Sequence, residues 1–568
     1  MRNFMDRMVT FCEKPLHCLI LLVAASLIVI VLPILIGGLH SSGDLAVYLG
    51  FSEELRSAIR SGDLFPGWAN DTNGFGSLGI RFYPPLTIYL TTGIDALTNS
   101  MYDTIWISFL LCMIVCCLGC YLFVRDWGSP IQAVCAGLIY AIAPFPLAKT
   151  YQFTLYSEFA AGSIVPFCFL FVTRICRRRE WLDVILLAIS FSLLILTHIP
   201  TTIVTAISLF IYVILIMEWR EFPRALIRLA AAAAISLVAT AFYWINVVTE
   251  VSWLAHSRQE FSSGMYSFDQ WLFPNSVFRE VSSYYIQHYR NIDTMIVLMV
   301  LTLVPFAVIW LKRGGRVKNF EWKVLSAVTL TAFFALFMTT RASYFVWAES
   351  EFLQKIQFPW RWLTIVSVLA SISFVLCLPE IRRKFPAYAR FIGVSTAGII
   401  VLMMAFDVRQ SFARWNRISR AEFQQMQDSK YSNPAWWPIW ANAEAFDKPD
   451  RVLANGRNVE IARWKRTDRS FEVAKGSPAD IRVATFYYPH WQATVNGQTV
   501  EVDKDENGAM VIPVGADDSA VRLYFEEPIL NKAFSWISLI SWLALGLVLL
   551  RRLFAGKHKR ASPHDNSI

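Results

Sequence analysis

Five ionisable residues stand where long apolar runs of this 568-residue chain begin or end. Asp44 follows the first run, Glu158 opens a later one within Phe153-Thr154-Leu155-Tyr156-Ser157-Glu158, and His198 closes another within Leu196-Thr197-His198-Ile199-Pro200. Glu250 comes after Phe242-Tyr243-Trp244, and Arg361 enters a run through Gln357-Phe358-Pro359-Trp360-Arg361. A charge near membrane depth is costly to hold, so such residues are candidates for function by default. Their types suit group transfer from a lipid phosphate. A carboxylate deprotonates an acceptor hydroxyl, a guanidinium grips phosphate bidentately, and the lipid tail stays in the bilayer. Each residue also has an ordinary reading. Asp44, or Ser42 just before it, could cap the following helix, where a carboxylate is favourable by about 0.5–1 kcal/mol. Glu158 could pair with Lys149, His198 could be a hydrogen-bonded helix end, Glu250 a solvated loop acid, and Arg361 a side chain reaching for headgroups.

The elements that must position these residues are membrane helices. The chain is 55% hydrophobic and 17% charged, against about 45–50% and 25% in soluble domains. Apolar runs fall near 18–39, 104–124, 130–148, 158–175, 182–199, 201–217, 225–246, 293–311, 324–340, 359–379, 391–407 and 532–550. Each is long enough to cross a ~30 Å hydrocarbon core. The fold class is therefore a polytopic α-helical membrane protein with about 12 transmembrane helices. The first run lacks a small-residue cleavage site and exceeds a signal-peptide core, so it counts as a helix.

The net charge of +9 does not point to nucleic acid, because Lys and Arg sit mostly in short loops between the runs. With Arg2, Arg7 and Lys14 in the cytoplasm, the basic loops at 177–179, 220–224, 312–318 and 382–384 and the tail 551–560 fall on the same side, as the positive-inside rule requires. Asp44, Glu158, His198, Glu250 and Arg361 then share the outer face of the plasma membrane. Residues 1–407 form the transmembrane domain, with loop 40–103 on that outer face. Residues 408–531 form an extracytoplasmic domain, and 532–568 the last helix and a cytoplasmic tail.

The 408–531 stretch opens with a predicted helix (Trp415–Gln427) and an aromatic turn, Pro434-Ala435-Trp436-Trp437-Pro438. Alternating segments such as Arg482-Val483-Ala484-Thr485-Phe486, with turns at Asn496-Gly497 and Glu506-Asn507-Gly508, then predict hairpins of a small β-sandwich or barrel. All 10 cysteines lie in or beside apolar runs. Cys112, Cys116 and Cys120 share a helix face, a spacing that suits packing better than metal ligation. Gly74-Phe75-Gly76-Ser77-Leu78-Gly79 matches G-x-G-x-x-G. The dinucleotide fingerprint needs a preceding strand and a following helix, so this match reads as turn chemistry.

Several motifs occur in a telling order. An Asp follows the first helix, then come Gly62-Asp63-Leu64-Phe65-Pro66-Gly67-Trp68, Asn73-Gly74-Phe75-Gly76 and Phe82-Tyr83-Pro84-Pro85. Later come Leu155-Tyr156-Ser157-Glu158, Thr197-His198, Gln357-Phe358-Pro359-Trp360-Arg361 and Tyr487-Tyr488-Pro489-His490-Trp491. In these motifs the chain resembles the bacterial membrane proteins labelled 6-pyruvoyl-tetrahydropterin synthase-related, although nothing in it suggests pterin chemistry. That group is similar to GT-C glycosyltransferases, and its outer domain resembles the YfhO-like membrane proteins.

The resemblance implies a GT-C fold whose first outer loop covers the active site. It also implies an inverting transfer of sugar from a polyprenyl-phosphate donor to an envelope glycan, lipid or protein acceptor. Asp44 would be the catalytic base and Glu158 a second catalytic acid. His40, Tyr83, His198, Glu250, Gln357, Trp360 and Arg361 would line the substrate site, with Arg361 and His198 gripping phosphate. Leu45-Ala46-Val47-Tyr48 follows the acid where many members are more acidic or His-rich, so the resemblance leaves a divalent cation open as a cofactor without assigning its ligands here. The rival readings are a flippase for lipid-linked sugar and a non-catalytic envelope assembly protein. Transporters often carry broken helices near the midplane, whereas the polar residues here gather at one face.

Overall fold

Every one of the apolar runs is helical in the computed structural model, which describes residues 2–40, 43–178, 180–258, 260, 263–274, 283–313, 320–384, 386, 389–412, 417–428 and 433–560. Ser41, Ser42, Arg179, Trp415, most of the 312–318 loop and the end of the tail lie outside the described residues. Among the described residues, ten helices are long and apolar enough to cross a membrane. The remaining two runs differ from expectation for local reasons. Run 130–148 is broken into Pro130–Ala141 and Pro144–Tyr151, bent by 41°. Pro144 and Pro146 offer no N–H to continue the ladder. Run 182–199 is helical only over Trp181–Ile195, because Leu196–His198 unwinds and Pro200 starts the next helix, Ile199–Ile216.

The helices sort into centre and rim. The segment Pro359–Pro379 is 83% buried, whereas Arg390–Ser411 is 17% and Ile529–Arg552 11% buried. The central segment packs on Phe320–Phe337, Ser283–Arg313 and Pro130–Ala141. Cys112, Cys116, Cys117 and Cys120 are buried in Met101–Arg125, and the Cys116 thiol reaches the Gly162 carbonyl at 3.4 Å across the packed helix Tyr156–Arg178. These cysteines serve helix packing.

The C-terminal module is a two-sheet antiparallel sandwich. One sheet runs Val452–Leu453, Ala479–Phe486, Ala509–Val514, Asp503–Lys504; the other runs Val459–Trp464, Asp468–Val473, Ser519–Phe525, Trp491–Val495, Gln498–Val500. Asn496 and Gly497 both take positive φ (50° and 81°) between Trp491–Val495 and Gln498–Val500, the twist a two-residue hairpin needs. The predicted helix Trp415–Gln427 starts later, at Arg420, because Ser419 and Glu422 form reciprocal caps (3.2 and 2.7 Å). Arg417–Ile418 instead pairs with Leu39–His40 as a short ribbon.

Loop 62–82 is as much part of the sandwich as of the bundle. Trp68, Phe75, Leu78 and Phe82 are buried in the same apolar core as Phe486, Tyr488 and Trp491. The G-x-G-x-x-G segment lies here, with no strand before it and only the single turn Gly79–Phe82 after it. Its glycines serve close packing: a Cβ on Gly76 would meet the Trp68 indole at 2.3 Å, and one on Gly79 would meet Phe51 at 2.1 Å.

Candidate active site

Asp44 occupies the N-cap position of the helix Leu45–Arg60, yet its side chain makes no capping hydrogen bond. Its carboxylate is therefore not spent on the helix end. Gly43 lets the loop come this close. It holds φ +55°, and a Cβ there would stand 2.1 Å from the Phe153 carbonyl. The 153–158 segment is thus pressed against the Asp44 loop. Thr154, a β-branched residue, takes φ 47°, and Gln357 takes φ 66°. Such conformations are costly for side-chain-bearing residues and concentrate at functional loops.

Glu158 lies in the first turn of Tyr156–Arg178 and is buried. Lys149 Nζ approaches its Oε1 at 3.6 Å and Arg361 Nε its Oε2 at 3.5 Å. Lys149 also donates to Thr364 Oγ1 (2.8 Å), which donates on to Glu158 Oε1 (3.4 Å). Glu158 is thus held by two cations and a hydroxyl. Arg361 sits in the 3₁₀ turn Pro359–Trp362, donates to the Ile356 carbonyl, and lies 4.9 Å from the centre of the Phe358 ring. Its neighbour Trp360 is buried, stacked on Phe358 (4.3 Å) and edge-on to Trp271 (4.4 Å). This aromatic packing fixes the turn that aims Arg361.

Asp44 faces this group. Burial raises its carboxyl from 3.8 to about 6; Arg361 pulls the value back and Glu158 adds to the rise. Part of its surface nevertheless stays open. Tyr83 donates to Tyr48 (2.9 Å), and the Tyr48 oxygen also accepts from the Ser157 backbone N–H (3.0 Å). The charge of Asp44 acts on both phenols, although burial is the larger cause of their raised values.

His198 begins a helix and does not end one. It N-caps Ile199–Ile216, its Nδ1 accepting from the Thr201 N–H at 3.3 Å. With Nδ1 an acceptor, the neutral ring carries its proton on Nε2. Burial, then the charges of Arg361 and Lys149, push its value well below 6.5, so it is a neutral donor close to both cations.

Two expected site residues stand apart. Glu250 is buried and engaged by Arg81 through two contacts (2.8 and 3.0 Å), by Asn531 (2.9 Å) and by Tyr488 (2.5 Å). Burial alone would raise its carboxyl; these donors bring it below 4.5. Instead of a solvated or substrate-facing acid, Glu250 is a tie between bundle, sandwich and last helix, and Arg81 extends the tie to Glu527 (2.5 Å). His40 is buried with Nε2 on the Ser411 carbonyl (3.0 Å) and its ring 5.0 Å from Tyr151. Burial lowers its value to about 4. It braces the ends of two helices. Gln357 contributes the positive-φ bend before Phe358.

Tyr48 and Thr364 are the members that sequence reasoning missed. Their spacing carried a signal: Tyr48 is one turn after Asp44, and Thr364 one turn after Arg361, each on the same face of its segment.

The acids do not suit a divalent cation. Both Glu158 oxygens already face cations, and Asp44 is the other carboxylate of this cluster among the described residues. Among the described residues no group of three or more His, Cys, Asp or Glu is arranged to hold a metal. Hard divalent ions take about six or more oxygen ligands, so no step below runs through one.

A family model described as "6-pyruvoyl-tetrahydropterin synthase related domain; membrane protein" matches residues 80–417. The chain belongs to this family. No protein of curated function matches this family member in sequence. Among solved structures it is similar to the Archaeoglobus fulgidus oligosaccharyltransferase tethered with an acceptor peptide, at 14% identity and TM-score 0.45 over 74% of this chain and 59% of that one. It is also similar to ArnT from Cupriavidus metallidurans bound to undecaprenyl phosphate, at 14% identity and TM-score 0.43 over 70% of this chain and 76% of that one. The arabinosyltransferase EmbB from Mycobacterium smegmatis matches at 12% identity and TM-score 0.36 over 91% of this chain and 63% of that one. The chain thus spans less than two thirds of the first of these structures.

Proposed function

We propose that this protein is a GT-C-type membrane glycosyltransferase that moves a sugar from a polyprenyl-phosphate donor to an acceptor hydroxyl at the outer face of the plasma membrane. The observation that carries this reading is Asp44: a carboxylate at a helix start that caps nothing, remains reachable, and is raised to about 6 beside a guanidinium. A base with that value is ionised at neutral pH and still basic enough to take a hydroxyl proton. The basic loops on the opposite side support cytoplasmic termini and an extracytoplasmic sandwich.

In this mechanism the acceptor oxygen gives its proton to Asp44 and bonds to the anomeric carbon. The bond from that carbon to the phosphate oxygen breaks, and polyprenyl phosphate leaves with the electron pair. Attack opposite the leaving group inverts the centre. Arg361 and the Nε2–H of His198 meet the phosphate charge. Glu158, bound by Lys149, Thr364 and Arg361, aims the guanidinium rather than accepting a proton.

The test supplies labelled polyprenyl-phosphate hexoses and pentoses to the purified full-length protein in nanodiscs, with envelope extract as acceptor. Acceptor-dependent release of polyprenyl phosphate is expected. Passage of uncleaved donor across proteoliposomes would make the chain a flippase instead.

A further inference from the structure

The N-terminal corner of the chain has no part in the mechanism above, yet it is closely built. The helix Arg2–Cys12 packs on Pro130–Ala141 and on the first span, Pro15–Gly37. Between them Lys14 is extended (φ −90°, ψ 124°), the conformation favoured before proline, and Pro15 starts the span. A helix leaves its last carbonyls without partners of its own. Here the first turn of the span supplies them. His17 Nδ1 donates to the Phe11 carbonyl (2.9 Å) and the Cys18 thiol to the Cys12 carbonyl (3.1 Å). The Phe11 and His17 rings also stack, 4.1 Å apart and 19° from parallel. Three contacts thus fix the corner.

An open recess of about 500 Å³ lies in this corner, lined by Arg7, Thr10, Phe11, Lys14 and His17. No acid is among these residues, and neither Arg7 nor Lys14 has an ion-pair partner among the described residues. Two cations lining one recess without a counter-charge attract an anion. The span that continues from the recess carries no charged residue between Pro15 and Gly37. Its Leu16, Ile20, Leu27 and Ile28 are exposed. At 3.6 residues per turn they fall in one arc of about 120°, and His17 falls in the same arc. From Leu16 to Ile28 this stripe rises about 18 Å, more than half of a ~30 Å hydrocarbon core. A cationic recess therefore stands over an apolar stripe one leaflet deep.

We propose that this corner binds an anionic phospholipid of the bilayer. The phosphate lies between Arg7 and Lys14, and the acyl chains run along the stripe. The guanidinium meets phosphate oxygens bidentately, while the ammonium acts as a point charge. The apolar wall of Phe11 suits the glycerol carbons. A zwitterionic lipid carries its own cation into the recess and is repelled there. A soluble phosphate compound gains the charges but not the stripe. The proposal is independent of the glycosyltransferase reading, since it uses no residue of the Asp44–Arg361 group.

The test places full-length protein in phosphatidylcholine nanodiscs that carry phosphatidylglycerol with a photoactivatable headgroup, and maps the adducts by peptide mass spectrometry. Adducts are expected on residues 7–17 of the wild type. One Lys or Arg near an anionic lipid surface is worth roughly fivefold, so Arg7→Gln with Lys14→Gln should raise the phosphatidylglycerol needed for half-maximal labelling about 25-fold. Arg7→Lys with Lys14→Arg keeps both charges and should label as the wild type does, which separates loss of charge from loss of folding. Unlabelled phosphatidylglycerol should displace the probe, glycerol 3-phosphate should not, and a photoactivatable phosphatidylcholine should label the corner far less. Labelling equal in the Gln variant and the wild type overturns the proposal. So does displacement by glycerol 3-phosphate, which would make the ligand a soluble phosphate compound. Equal labelling by the phosphatidylcholine probe would overturn it too, leaving an unselective lipid contact.

Discussion

Two carboxylates, Glu250 and Asp44, look alike in sequence and differ in what surrounds them. Glu250 ends a helix and is saturated: Arg81 on both oxygens, Tyr488 and Asn531 as further donors. Asp44 begins a helix and has no hydrogen-bonding partner assigned to its cap position. Donors overcome burial at Glu250 and lower its carboxyl, whereas burial prevails at Asp44 and raises it to about 6. The same chemistry thus becomes a structural tie in one place and, in the proposed mechanism, a base in the other. Burial raises a carboxyl, and enough donors reverse the shift.

Removing each charge should separate the two roles most clearly. Asp44→Asn is expected to lower turnover by about 10²–10⁴-fold, the usual contribution of a general base. Its thermal midpoint should hold or rise slightly, since a desolvated charge is removed. Glu250→Gln should do the reverse. Breaking a buried ion pair costs about 3–5 kcal/mol, so its midpoint should fall, while turnover per folded molecule changes far less. Calorimetry of both variants beside donor-release kinetics checks the pair. A destabilised Asp44→Asn with normal turnover would erase the contrast.

The contrast was only half legible in the sequence. Hydropathy runs located the long apolar helices, and Asn496-Gly497 and Asn507-Gly508 located hairpins, because both signals are local. The partners of each acid are not local. Arg81 is bonded to Glu250 across 169 positions, and Thr364 to Glu158 across 206. No periodicity reports such a pairing. Glu250 therefore looked like a loop acid until Tyr488 and Asn531 closed around it. The motif Gly62–Trp68 lies in the loop expected to cover the site, and its physical role in the structure is docking. Trp68 is wholly buried in the sandwich core, and a Cβ on Gly67 would meet the Glu527 carboxylate at 2.0 Å. Lys149 was visible as a neighbour of Glu158, whereas the Nε2 proton of His198 became visible only once Thr201 fixed its tautomer.

A smaller perturbation tests how Asp44 is placed. Gly43 sets its approach, so Gly43→Ala must either twist a φ of +55° or push away the Phe153 carbonyl, 2.1 Å from the new carbon. The strain is about 1–3 kcal/mol. Turnover should drop about tenfold or more for a base moved by an ångström, with donor binding less affected because Arg361 and His198 stay in place. Single-turnover kinetics separate the two. Equal loss of donor binding would mean that the 43–44 loop holds the phosphate side as well.

The gentlest probe is pH, and the two carboxylates respond with opposite sign. Asp44 must be ionised to act, so kcat/KM should fall about tenfold per unit once pH drops below about 6. Asp44→Glu should shift that inflection and Glu250→Gln should not. Stability follows linkage. Asp44 binds its proton more tightly folded than unfolded, so its contribution is full below 3.8 and is lost as pH rises through about 6. Glu250 binds its proton less tightly folded, so its contribution is present above 4.5 and is lost as pH falls through its lower folded value. Acidifying from pH 5 should therefore cost the wild type stability that Glu250→Gln no longer has to lose, while Asp44→Asn loses as much as the wild type or more. An inflection unmoved by Asp44→Glu would assign the base to another group, and an acid limb identical in Glu250→Gln and wild type would show that Glu250 is no tie.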